Sequence, residues 1–272
     1  MSSSNTIQPT IAFFGATGAC INACLALTLQ AGYSAAALAR TPAKLKKQLL
    51  AQGISEETLS QQLVIIQGDA LDVAATKRTL TCGGRLVTTI VSGLGGRPKF
   101  TFNFWRPLQL ATLDNPTICE TATRTLFNAL QEIYTENPAW TANKPLVVFI
   151  STTGLTKGPA DVPFWMRFLY HQVLTVPHAD KRKMEALYRK NMAESDASKR
   201  SFRNIIGVRP TLLTGGENVS SGIGLDKIKV GKEQKPALGY SIRRADVGHW
   251  IFENVIKNGG QGWEGEMVTL TS

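Results

Sequence analysis

The first residues of this chain able to do chemistry stand in "IAFFGATGACIN", residues 11–22. A short apolar run ends in Gly15, Ala16, Thr17, Gly18 and Ala19, and a helical pattern follows. A strand, a glycine turn and a helix start leave backbone N–H groups and the positive end of a helix dipole facing outward, which suits an anion and above all a diphosphate. Gly15 allows the tight turn, and Gly18 lets the backbone approach phosphate with no Cβ in the way. A third glycine is expected three positions on, and Ile21 stands there instead. That position serves helix-to-strand packing. Ile21 should therefore be buried between the first helix and the sheet, alter their spacing and leave the anion site intact. The competing reading is a turn with a structural role only.

The second apolar run ends in "ALARTPAKL". A site for NAD wants a carboxylate at this point for the ribose hydroxyls, and Arg40 stands in that place. A guanidinium pairs with a 2′-phosphate at two points and stacks on adenine, so Arg40 favours NADP over NAD. The alternative is a surface arginine at a strand end. Asp69, in "QGDALD" after the third run, is placed either to meet the adenine side or to cap the next helix.

The elements that must position these residues are legible as apolar β-type runs at Ile11–Phe14, Ala35–Ala39, Leu63–Gln67, Leu86–Val91, Leu146–Ile150 and Ile205–Val208. Helical patterns lie between most of them, at about Cys20–Ala31, Pro42–Gln52, Cys119–Thr135 and Asp180–Ala193. Alternating strands and helices, each strand nearly continuously apolar, predict an α/β fold with a doubly wound parallel sheet covered on both faces. No internal repeat or long linker is present, and the expectation is one domain over 1–272. The stretch 92–116 is long for a plain loop and is a candidate for shaping a binding site.

Composition bounds the function. Hydrophobic residues make up 43% and charged residues 18%, an ordinary globular mixture. No apolar run reaches the roughly 20 residues that span a bilayer. The start, "MSSSNTIQPT", lacks the basic and apolar regions of a secretory signal, and the four cysteines, Cys20, Cys24, Cys82 and Cys119, form no CxxC pair or zinc set. A reducing cytoplasm is the expected setting, with Cys20 and Cys24 as small packing residues one helical turn apart. The net charge of +10 is spread over separate clusters, among them Lys44, Lys46 and Lys47, with no nucleic-acid motif. It fits solvated helix faces and an anionic small ligand, not nucleic acid and not a membrane. A monomer or homodimer is expected.

With "FFGATGA", "ALARTPAKL", "GDALD", "FISTTG", "VRPTLL" and "SIRRADVGHWIFENVI" in this order, the chain resembles the atypical short-chain dehydrogenase/reductases, in their NmrA-like, NAD(P)H-binding branch. The resemblance runs from Ile11 to about Ile256. It implies a Rossmann-type fold with a small C-terminal substrate-pocket region, the pocket coming mainly from 92–116, 154–178 and 211–240. It also implies NADP (NADPH) lying across the C-terminal strand ends. The nicotinamide would then meet Ser92 and Gly93, then Ser151, Thr152 and Thr153, then Pro210, Thr211 and Leu212.

The catalytic set departs from that family's pattern. Active members carry a hydroxyl residue after the fifth strand and Tyr-x-x-x-Lys on the next helix, where the lysine lowers the tyrosine pKa and holds the ribose. Thr152 or Thr153 fills the hydroxyl role. In "VPHADKRKMEAL" the lysine is matched by Lys181, with Glu185 four residues on, and Pro177 stands where the tyrosine belongs. His178 and Tyr170 are the candidates to replace it. Two aromatic clusters, Phe100, Phe102, Phe104 and Trp105, and Phe164, Trp165, Phe168 and Tyr170, suit a bulky apolar substrate or plain packing. Three functions remain open: an NADPH-dependent reductase of a hydrophobic small molecule, a redox-neutral isomerase or cyclase on the same fold, and an NADP-sensing regulator without catalysis.

Overall fold

The computed structural model of the chain describes residues 10–96, 98–100, 111–156, 158–164 and 175–272. Its central strands form where unbroken apolar runs meet glycine or polar punctuation. These are β1 (Ile11–Phe14), β2 (Ala35–Ala39), β3 (Leu63–Gln67), β4 (Thr89–Ser92), β7 (Leu146–Ile150) and β8 (Asn204–Pro210). Two short pairs lie outside the sheet, the antiparallel β5 (Pro98–Phe100) with β6 (Ala111–Leu113), and the parallel β9 (Leu212–Thr214) with β11 (Ser241–Arg243). β10 (Lys229–Gly231) and β12 (Met267–Thr271) extend the sheet at the far edge. The eight-stranded order is β10-β12-β8-β7-β4-β1-β2-β3, parallel throughout except for β10. The chain moves outward from β1 to β3 and then returns to β4 on the other side of β1. That reversal opens a crevice beyond the C-terminal ends of β1 and β4.

Helices cover both faces. They are α1 (Ala19–Gln30), α2 (Pro42–Ala51), α3 (Glu56–Gln62), α4 (Val73–Leu80), α5 (Ile118–Glu136), α6 (Thr175–Met192) and α7 (Arg244–Ile251), the last continuing as a π-type turn over Phe252–Lys257. Alternate residues of one strand feed two cores, as a pleated sheet requires. Ile11 and Phe13 pack with Leu25, Leu29 and Trp250, whereas Ala12 and Phe14 pack with Leu126, Leu130 and Tyr188.

The doubly wound sheet is as the sequence predicts, with some differences. The fourth strand begins three residues later than expected, at Thr89. The helix expected at Asp180 begins at Thr175. Pro177 is accommodated because it lies in the first turn, where no i−4 partner is required. α3, α4 and β12 add to the elements that the apolar pattern marks, and part of the stretch 92–116 forms the β5–β6 pair.

Ile21 is 1% exposed, and a Cβ built on Gly93, just beyond β4, would overlap its Cγ1. Gly93 therefore provides the space that the Ile21 side chain fills. On the other face of α1, a Cβ on Gly248 of α7 would lie 2.5 Å from the Cys20 carbonyl oxygen and 2.8 Å from the Cys24 nitrogen. The close packing that a glycine on α1 usually allows comes instead from glycines on the elements that meet it. Cys20 and Cys24 are buried in that contact, and burial pushes the Cys20 thiol up to about 12, which makes it a packing residue. Ile21→Gly should cost about 3–5 kcal/mol, combining cavity formation with helix propensity. Gly93→Ala should cost about 1–3 kcal/mol by overpacking. The double variant Ile21→Gly/Gly93→Ala should be more stable than the sum of its singles allows, because the smaller residue at 21 makes room for the new methyl at 93. Urea unfolding of wild type, the two singles and the double measures this, and strict additivity would show that the two positions are not complementary.

Candidate functional site

The glycine turn is held open by its surroundings. Gly15 has φ +77°, and a Cβ there would lie 2.9 Å from the Gly93 carbonyl oxygen. Both the backbone angle and the crossing chain thus demand glycine. The Gly18 N–H donates to the Gly15 carbonyl at 2.8 Å and closes the turn. Asn22, fully buried, donates from Nδ2 to the Ala16 carbonyl at 2.9 Å and accepts from Gln52 Nε2 at 2.5 Å. Gln48 Nε2 reaches the Thr17 carbonyl at 3.3 Å. The turn's carbonyls are therefore tied back into the protein. α1 has Gly18 as its N-cap, with no side-chain cap and no acidic residue in its first turn. Its first N–H groups and the positive end of its dipole therefore meet no side-chain cap and no carboxylate of that turn.

A cleft of about 320 Å³ opens at this turn. Gly15, Thr17 and Gly18 line it from β1, Arg40 and Lys44 from the end of β2 and the start of α2, Asp69 from beyond β3, and Gly93 to Gly96 from beyond β4. Arg40 and Lys44 are both exposed and carry two positive charges to one rim. Sequence pattern alone places Lys44 on a solvated helix face; its spacing of four from Arg40 across a strand-to-helix turn is the signal that brings the two together. Asp69 lines the cleft and also accepts from the Leu71 N–H at 3.0 Å. The helix-capping role considered for it belongs to Asp72, which accepts from the Ala74 N–H at the start of α4.

The other side of the crevice is built around α6. Asp180 accepts from the Cys119 and Glu120 N–H groups, each at 2.9 Å, and so caps α5 and fixes α6 against it. The next residue, Lys181, is half-buried and donates from Nζ to the Leu94 carbonyl at 2.9 Å and the Ile150 carbonyl at 2.7 Å. It ties the loop after β4 to the end of β7. Ser92 is buried, and Thr152 is half-buried. Ser151 is buried and donates its hydroxyl to Glu185 Oε1 at 2.5 Å. Thr153 is fully buried, with its hydroxyl 3.4 Å and its N–H 3.2 Å from the Pro210 carbonyl. Pro210 and Thr211 are buried and Leu212 is half-exposed, and neither these three nor Ser92, Ser151, Thr152, Thr153 and Lys181 line the cleft. Pro177 is half-buried one turn before Lys181, and His178 is buried. Tyr170, with most of both aromatic clusters, lies outside the described residues.

One acidic group on this side has no signature in the sequence. Asp161, 2% exposed, accepts from the Gly154 N–H at 3.0 Å through Oδ1, while Oδ2 is buried without a hydrogen-bond partner among the described residues. Burial pushes its pKa above the ordinary carboxylate value, against the opposing pull of the Gly154 N–H and the Arg209 guanidinium. Its setting in "GPADVP" offers no pattern by which to find it. Among the described residues, no group of three or more His, Cys, Asp or Glu could hold a metal ion, and no helix is long and apolar enough to cross a membrane.

A parallel sheet with a strand-order reversal, a glycine turn at that point and a cationic rim on the second strand define a Rossmann-type dinucleotide-binding protein. No protein-family model matches the chain. The chain is 43% identical over 268 residues to Reductase pytE of Aspergillus terreus, covering 97% of this chain and 98% of that protein. It is 44% identical over 291 aligned positions to Oxidase pynE of Aspergillus niger, covering 97% and 99%. A short-chain dehydrogenase/reductase of Veillonella parvula in complex with NADP shares the fold, with a TM-score of 0.64 at 13% identity over 97% of this chain and 94% of that one. The chain belongs to the oxidoreductase family that holds these two Aspergillus proteins, and it has the fold of the short-chain dehydrogenase/reductases.

The buried acid makes stability depend on pH. A carboxyl whose folded pKa is raised binds its proton more tightly when folded, so its contribution is full below the unfolded value and is lost as pH rises through the folded one. Asp161→Asn keeps an oxygen for Gly154 and is neutral at every pH. Its stability relative to wild type should therefore increase as pH rises from about 4 toward neutrality. Paired denaturation curves across that range check this, and a stability difference independent of pH would show Asp161 to titrate as an ordinary carboxylate.

Proposed function

We propose that the chain is an NADPH-dependent reductase of a hydrophobic small molecule whose acceptor is a carbonyl, an imine or an activated alkene. The observation that carries this is the meeting, in one cleft, of an uncapped glycine turn and the Arg40–Lys44 cation pair. The residues fit the group. Gly15 to Gly18 and the start of α1 take the diphosphate, Arg40 and Lys44 take the 2′-phosphate, and Asp69 faces the adenosine side. When bound, NADPH supplies hydride from its nicotinamide ring.

The rest falls to the chain's own residues. Lys181 uses two of its three ammonium donors on the Leu94 and Ile150 carbonyls and keeps one for a ribose hydroxyl. Pro177 holds no proton, so the acceptor's proton comes from another group. His178 and Asp161, both buried, are the candidates to carry it, and Tyr170 is a third candidate on the segment before α6. The pocket for the apolar substrate is assigned to 92–116, 154–178 and 211–240. The Aspergillus relatives named a reductase and an oxidase support an enzyme over a regulator, and they leave the same site able to run in the oxidative direction.

Two measurements test this reading. A charge-assisted hydrogen bond is worth roughly 1.5–3 kcal/mol, or about 10- to 150-fold in affinity. Arg40→Ala should weaken NADPH binding by about that factor and Lys44→Ala by less, with NADH unaffected by either. Calorimetric titration decides this, and equal wild-type affinity for NADPH and NADH would remove the cofactor assignment. The second uses NADPH deuterated at nicotinamide C4 against a panel of hydrophobic ketones, imines and enones. Deuterium should appear in the product as the reduced-nicotinamide absorbance falls. Product formed with no loss of absorbance and no label would instead favour the redox-neutral isomerase or cyclase that Pro177 suggests.

A further inference from the structure

Arg40 and Lys44 belong to the cleft rim, and a second polar cluster lies inside the protein beside β7. Glu185 is 4% exposed and Arg209 1%. Arg209 donates from Nε to Glu185 Oε1 at 2.9 Å and from Nη2 to Oε2 at 2.5 Å, a two-point pair. Its Nη1 reaches Glu233 at 3.1 Å, and Glu233 is held from the other side by Arg189 at 2.7 Å. Burying such a pair carries a desolvation cost of several kcal/mol per ion. β8 does not need the pair for its place in the sheet, since it is already hydrogen-bonded to β7 and β12.

The pair's remaining contact is the informative one. Glu185 Oε1 also takes the Ser151 hydroxyl proton at 2.5 Å. A serine hydroxyl has one proton and two lone pairs. With its proton committed to a carboxylate, Ser151 has only acceptor capacity left for a ligand. It directly follows Ile150, whose carbonyl receives Lys181. With the adenosine end at Arg40 and the diphosphate at the glycine turn, the second half of a dinucleotide crosses β4 toward β7, where Ser151 stands.

We propose that Glu185, backed by Arg209, is a positioning residue that fixes Ser151 as a hydrogen-bond acceptor for the nicotinamide half of the cofactor, taking its carboxamide N–H or a ribose hydroxyl. The proposal rests on the NADP reading above. It also means that Ser151 cannot polarise a substrate carbonyl, because it has no proton to give.

The test compares two probes by calorimetry, NADPH and adenosine 2′,5′-bisphosphate, which has the adenosine end but no nicotinamide. Ser151→Ala removes the acceptor and leaves the ion pair. Glu185→Gln puts an amide N–H₂ where one carboxylate oxygen was and disturbs the direction of the Ser151 hydrogen bond. Each should weaken NADPH binding by roughly 2- to 13-fold, the range of one hydrogen bond, and leave the bisphosphate unchanged. The double variant should be no weaker than the worse single, since both act through one contact. Ser151→Ala alone decides the matter if Glu185→Gln does not fold. Equal weakening of both probes would reduce the cluster to a structural role, and no weakening of either would show that Ser151 does not meet the cofactor. A wild type that binds the bisphosphate but not NADPH would overturn the placement of the nicotinamide half alone. A wild type that binds neither would overturn the NADP reading and this proposal together.

Discussion

The Gly15 turn and the chain after β4 cross so closely that neither admits a side chain. At Gly15 a Cβ would meet the Gly93 carbonyl, and at Gly93 it would meet Ile21. This crossing fixes three things together: the height of α1 above the sheet, the outward direction of the turn's N–H groups, and the start of the loop that Lys181 grips at Leu94. The anion site and the β7 side of the crevice therefore share one mechanical reference. A shift of α1 would move the Ala16 carbonyl that Asn22 holds, and through Gln52 would disturb the loop at Val219, whose N–H that glutamine accepts.

Much of the sheet is legible in the sequence because its strands are unbroken apolar runs, fully buried in β1, β2 and β7 and partly so in the edge strand β3. β1, β2, β3 and β7 have the bounds that the apolar runs mark, since no polar alternation obscures them. β12 is hidden for the opposite reason. Its Thr269 and Thr271 are buried polar residues whose hydroxyls meet backbone groups distant in the chain, the Ala237 N–H and the Ser241 carbonyl, and composition alone reads "MVTLT" as indifferent. α4 is hidden likewise, because two of its buried positions are Thr76 and Thr79. The Thr79 hydroxyl is satisfied one turn back at the Ala75 carbonyl, while the Thr76 hydroxyl is buried with no hydrogen-bond partner among the described residues, so an apolar pattern marks neither.

The site divides along the same line. Gly15, Gly18, Arg40 and Asp69 are readable because each lies within a few residues of a strand end, and strand ends converge on one crevice. Lys44 carries the right charge, but its role depends on how α2 leaves β2. Asn22, Asp161 and the Glu185–Arg209 pair act across separations of 6 to 24 residues in the chain or through buried contacts with no local pattern. Glu185 is visible as a position four residues after Lys181, and Arg209 as part of "VRPTLL". Nothing in either segment says that they meet.

The polar ties of α6 bear on the absent tyrosine. Asp180 caps α5, Lys181 bridges the chain after β4 and the end of β7, and Glu185 joins Arg209 and Ser151. Buried ionic contacts are poor stabilisers compared with well-packed apolar side chains, and breaking one partner is costly. A helix needed only to cover the sheet would be served as well by leucine at these positions. What the three ties add is a fixed rotation and height for α6 relative to β4 and β7. Pro177, in the first turn, removes a phenol from the crevice but leaves that placement untouched, because the turn's own N–H groups have no intrahelical partner to lose. The helix thus keeps a fixed placement against β4 and β7 while position 177 holds no proton donor. Under the proposed reading the acceptor's proton then comes from a side chain other than residue 177, and the candidates differ in placement: His178 shares the first turn of α6 with Pro177, whereas Asp161 is held at the Gly154 N–H after β7.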